Sequence, residues 1–83
     1  MKQDEIDFLR LLRARCSFID RDGVKHKESP REIINSEGFP IHHKRAWFIL
    51  RKICRRGWYD YGVTLDLGCL TEKGVQEIDV IIE

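Results

Sequence analysis

The segment from Ser29 to Arg56 constrains the fold more than any other part of this chain, because it encodes two helices separated by a tight turn. Ser29-Pro30-Arg31-Glu32 has the form of a capping box, with serine at the N-cap and glutamate three residues on. Proline fits the first helical position, where its missing N–H would have had no partner anyway. Ile33 and Ile34 point inward, and Asn35-Ser36-Glu37-Gly38 ends the helix by residue 36, with Gly38 free to take a left-handed turn. A longer helix is expected from Pro40 to Arg56. At about 100° per residue, Ala46, Ile49, Leu50, Ile53 and Cys54 gather on one side of it. Lys44, Phe48, Arg51, Lys52 and Arg55 lie on the other side, with Arg45 towards the edge. One face is core and the opposite face is cationic.

The flanking segments add elements of both periods. A helix is expected from Asp4 to Cys16, capped by Asp4, with Phe8, Leu9, Leu12 and Cys16 as its buried stripe. Asp20-Arg21-Asp22-Gly23 signals a turn, and a short strand is expected near residues 24–27. After Gly57 the period becomes that of strands. Trp58 to Tyr61 and Leu67 to Leu70 form a β-hairpin around a loop from Gly62 to Asp66. Thr71 then caps a last helix, Glu72 to Ile82, whose inner stripe is Val75, Ile78 and Ile82. Trp47 and Trp58 read as packing residues.

Charge is distributed unevenly. Net charge is only +1 across 83 residues. Between Gly38 and Tyr59, however, stand Lys44, Arg45, Arg51, Lys52, Arg55 and Arg56 with no acidic residue, while the remainder of the chain is net acidic. A local basic stretch on an acidic protein is the electrostatic footprint of a phosphate-binding face.

Other function classes find little support. Hydrophobic residues make up 42% and charged residues 35%, the balance of one globular domain spanning residues 1–83. No apolar run is long enough for a bilayer, and the charged start Met1-Lys2-Gln3-Asp4-Glu5 has no apolar stretch behind it, so a cytoplasmic protein is expected. Cys16, Cys54 and Cys69 are scattered, and the adjacent His42-His43 pair lacks a matching set of ligands, so neither a metal nor a cofactor is expected. No phosphate-binding loop, nucleophile elbow or paired metal-binding histidines occurs, and an enzyme is not expected. Val80 and Ile81 lie off the inner stripe of the last helix and leave apolar surface that a second copy could cover.

The order of elements, together with Leu70-Thr71-Glu72-Lys73-Gly74 and Arg56-Gly57-Trp58-Tyr59, resembles the winged helix-turn-helix family of small bacterial, archaeal and phage regulators. The first piece looks like the segment that ends the second wing strand and starts a C-terminal helix. The second resembles the passage from recognition helix to wing. The resemblance covers residues 29–78 and implies an α+β fold: a three-helix bundle with a β-hairpin wing and a C-terminal helix.

It also implies a DNA-binding protein, a transcriptional regulator that inserts helix 40–56 into the major groove of duplex DNA. On that reading Ile41, His42, Lys44, Arg45 and Phe48 are the candidates for reading bases, and Arg51, Lys52, Arg55 and Arg56 the candidates for holding phosphates. The expected wing, Tyr59 to Cys69, departs from the family pattern: it carries Asp60 and Asp66 and no basic residue. This points the wing towards a protein, either a second copy in a homodimer or a different partner. The alternatives are a winged-helix assembly module, with the acidic wing and Phe48 as its contact surface, and a DNA-binding accessory subunit of a replication or recombination complex.

Overall fold

A computed structural model describes residues 1–16, 28–61 and 64–83. Among them the chain forms a small α+β fold with four helices and one antiparallel hairpin: α1 (Gln3–Arg15), α2 (Pro30–Ile34), α3 (His43–Arg55), β1 (Tyr59–Asp60), a 3-10 turn (Leu65–Leu67), β2 (Cys69–Leu70) and α4 (Glu72–Ile82). The turn at residues 20–23 and the strand expected near 24–27 lie outside the described residues.

The helix ends follow local chemistry, with three corrections to the sequence reading. Asp4 does not cap α1. The helix begins one residue earlier, with Lys2 at the N-cap and the amides of Glu5 and Ile6 bonding its carbonyl. The Asp4 side chain is drawn instead to Arg45. At α2 the capping box is complete, since the Ser29 hydroxyl accepts from the Glu32 amide and the Glu32 carboxylate accepts from the Ser29 amide. This helix is shorter than expected, because the Ser36 hydroxyl and amide both donate to the Ile33 carbonyl and close it early. Gly38 then turns at φ +80°, in the left-handed region.

The third correction concerns α3, which starts at His43 rather than Pro40. His42 is its N-cap, and its Nδ1 accepts from the Lys44 amide at 3.2 Å. Ile41 before the cap and Ala46 in the first turn are both buried, the positions a hydrophobic staple uses to fix the entry angle of a helix. At the other end the Gly57 amide bonds the Cys54 carbonyl and the Trp58 amide bonds the Ile53 carbonyl. With Gly57 at φ +78°, this is a Schellman stop.

The hairpin pairs Tyr59 with Leu70 and Asp60 with Cys69. Its loop is tied down by the Tyr59 hydroxyl, which donates to the Leu65 carbonyl at 2.6 Å and accepts from the Gly68 amide at 2.8 Å. Burial pushes the Tyr59 hydroxyl well above the ordinary range for its ionisation, so it stays a donor. Thr71 joins hairpin to helix: its hydroxyl donates to the Gly57 carbonyl at 2.7 Å and accepts from the Gly74 amide at 3.0 Å.

Phe8, Leu9 and Leu12 of α1, Ile33 of α2, Ile49 and Leu50 of α3, Leu70 of β2 and Ile78 of α4 meet in one core. Complete burial of each large side chain stabilises the fold by about 2 kcal/mol. Val75, Ile81 and Ile82 of α4 are partly buried against the same core. Ile81 therefore packs inward rather than lying on the surface. On that helix Val80 stays out, 71% exposed, and a single exposed valine is ordinary surface. No helix among the described residues is long and apolar enough to cross a membrane.

Candidate functional site

The basic residues of α3 divide into two sets. Its core side is Ala46, Ile49, Leu50 and Ile53, all buried. Lys44, Phe48, Arg51 and Arg55 stand diametrically opposite, within about 60° of one another at 100° per residue, and all four are exposed. Arg45 and Lys52 lie on the flank that faces α1. There Arg45 Nε bonds Asp4 Oδ2 at 2.8 Å and its Nη2 bonds Glu5 Oε1 at 2.7 Å, while Lys52 Nζ bonds Glu5 Oε2 at 3.0 Å.

Two carboxylates of the first turn of α1 thus neutralise two cations of α3. Burial raises the Glu5 carboxyl, but the hydrogen bonds from Lys52 and Arg45 outweigh it and hold the group below its ordinary value. Asp4 is held low chiefly by its hydrogen bond from Arg45. Neither acid was legible as part of this site, because they lie some forty residues away in sequence with no motif linking them; the only hint was the position of Arg45 at the edge of the basic face.

The remaining cations are available. Among the described residues Lys44, Arg51, Arg55 and Arg56 form no ion pair, and α3 carries no acidic residue. The Arg56 guanidinium lies over the Trp58 ring, 5.0 Å from its centroid, which orients a flexible side chain at the C-cap. A groove of about 400 Å³ opens between Phe48, Arg51, Lys52, Arg55 and Arg56.

The base-reading candidates do not form one set. Ile41 is 8% exposed and belongs to the core, so its side chain has no access to a ligand. His42 is exposed, but its Nδ1 is occupied in capping α3. Arg45 is held by α1. Lys44 and Phe48 are the two that are exposed and held neither by a carboxylate nor by the core. Of the four phosphate candidates, Arg51, Arg55 and Arg56 are exposed and unpaired among the described residues, whereas Lys52 is bound to Glu5.

The expected acidic wing changes character too. Asp66 is 7% exposed and turned inward, where Arg31 Nε bonds it at 2.7 Å and the Thr64 hydroxyl at 2.8 Å. The hydrogen bond from Arg31 holds its carboxyl below the ordinary value. Asp66 is therefore a structural tie between the hairpin loop and α2, leaving Asp60 as the exposed acid of the described wing residues.

Among the described residues no three of His, Cys, Asp and Glu converge as a metal ion would require. The three cysteines are free, and burial pushes the Cys16 thiol up to about 12, which makes it inert. Comparison with protein-family models, with curated proteins and with solved structures returns no match.

Proposed function

We propose that the chain is a winged-helix protein that binds duplex DNA by laying the exposed face of α3 in the major groove, and that it serves as a cytoplasmic transcriptional regulator. The observation that carries this reading is the stripe Lys44, Phe48, Arg51 and Arg55 on a helix without acids, opposite the core and continued by Arg56. The order of three helices, a two-stranded antiparallel hairpin and a fourth helix is compatible with that reading, the hairpin as the wing. The turn at Gly38 and the staple at Ile41 hold α3 at a fixed angle, which is what groove insertion needs. The inward pairing of Asp66 also withdraws one of the two acids on which an assembly role for the wing would rest.

Four unpaired cations set the scale of the test. Each phosphate neutralised contributes about 0.9 to the log–log slope of affinity against salt, so the slope is expected near −3 to −4. Fluorescence anisotropy on random-sequence duplex between about 50 and 200 mM salt measures it. Arg51→Ala/Arg55→Ala should weaken binding and flatten the slope by about 2. Absence of binding at the lowest salt would eliminate DNA as the partner of this chain.

A further inference from the structure

We propose, resting on the DNA-binding reading above, that Phe48 is the specificity-determining residue of this face. It would read the 5-methyl group of thymine in the major groove, and Asp4 and Glu5, acting through Arg45, position it for that contact. Phe48 is 55% exposed, although it sits on a helix whose other large apolar side chains are partly or wholly buried. Its neighbours along the stripe are cations, Lys44 one turn before it and Arg51 one turn after it. A surface that matches this face must be anionic around the ring and apolar beneath it. The major groove of DNA meets that requirement, since thymine methyls are its apolar groups and phosphates line its edges.

Arg45 explains why the ring is left to do the reading. An unpaired arginine in the N-terminal half of such a helix would bond the acceptors of guanine. Here the Nε and Nη2 edge of the guanidinium is already engaged by Asp4 and Glu5. Releasing it would leave the Glu5 carboxylate, 5% exposed, with Lys52 as its one remaining partner among the described residues. Breaking a buried, paired carboxylate is costly, so guanine reading by Arg45 is suppressed. The same guanidinium lies 5.2 Å from the centroid of the Phe48 ring. Glu5 and Asp4 therefore fix Arg45, and Arg45 supports the ring through a cation–π contact, while Phe48 also forms a wall of the groove it shares with Arg51, Arg55 and Arg56.

The test begins by selecting the preferred duplex of the intact protein from a random pool. Each thymine of the selected site is then replaced in turn by deoxyuridine, which removes the methyl group and leaves every phosphate and hydrogen-bonding group in place. The wild type should lose about fourfold in affinity at the contacted thymine, the worth of one buried methyl-sized group. Phe48→Ala should bind thymine and uracil sites equally, and Phe48→Leu, still apolar, should keep part of the difference. Asp4→Asn/Glu5→Gln should move the selected site towards guanine, because Arg45 is then released by both carboxylates; a purely structural role for the two acids would lower thermal stability without changing base preference. Salt-sensitive binding with equal affinity for thymine and uracil overturns this proposal and leaves the DNA reading intact. Absence of binding to any duplex overturns both. Should that double variant fail to fold, the two Phe48 variants still decide the thymine contact.

Discussion

Gly74 sits where the first turn of α4 crosses the start of β1, and a Cβ built on it would stand 2.0 Å from the Trp58 carbonyl oxygen. That neighbour is backbone, so it cannot swing aside. Gly38 presents the opposite case: its Cβ would meet open space, but its φ is +80°. Alanine at Gly74 must push the helix off the hairpin, at a cost of about 3 kcal/mol. Alanine at Gly38 bears only the left-handed backbone penalty of about 1 kcal/mol. Urea unfolding of the two variants should therefore rank Gly74→Ala well below Gly38→Ala in stability, and equal losses would mean that α4 can slide on β1. Gly38 was legible as a turn residue from its place between two helices. The demand on Gly74 was visible only as part of a motif, since the carbonyl that forbids a side chain there comes from a residue sixteen positions earlier.

At the scale of elements, the helix caps carry different amounts of structure. Ser29 closes a box within α2 alone. Thr71 caps α4 and also holds the Gly57 carbonyl, so it joins the end of α3 to the start of α4. Ser29→Ala should cost about 1 kcal/mol, the usual worth of an N-cap. Thr71→Ala should cost roughly twice that, because a second hydrogen bond of comparable worth is lost with the cap. Thermal melts of the two variants measure the difference; a Thr71→Ala variant no weaker than Ser29→Ala would show that the bond to Gly57 adds nothing. Both caps could be read from the sequence because serine and threonine followed by a helical pattern have one common use. The His42 cap could not. Histidine is not a preferred cap, and Pro40 offered a more familiar start. What moves the start to His43 is the burial of Ile41, which anchors the turn in the core and leaves His42 to meet the first free amides.

Across the whole molecule, ion pairs link segments distant in sequence: Asp4 and Glu5 to α3, Asp66 to Arg31, and Glu28 to Arg15. The carboxyls of all four acids are held below their ordinary values: at Glu5 burial pushes the group up but the hydrogen bonds from Lys52 and Arg45 outweigh it, and at the other three arginine hydrogen bonds hold it down. A carboxyl lowered in the folded state contributes stability that is complete above its unfolded value and is lost as pH falls through the folded one. Stability should thus hold from neutrality down to the ordinary glutamate value of 4.5 and decline below it. Melting temperatures taken through that window check this; a flat profile down to about pH 3 would mean the pairs contribute no net stability. The helical and strand periods, the caps at Ser29 and Thr71, the Gly38 turn and the basic character of one α3 face were all determined by the sequence, because each depends on residues within a few positions of one another. Which cations on that face are available was decided by tertiary structure. Folding brings Asp4 and Glu5 against Arg45 and Lys52 and turns Asp66 towards Arg31, and an electrostatic partner is chosen by distance in space, which spacing along the chain does not encode.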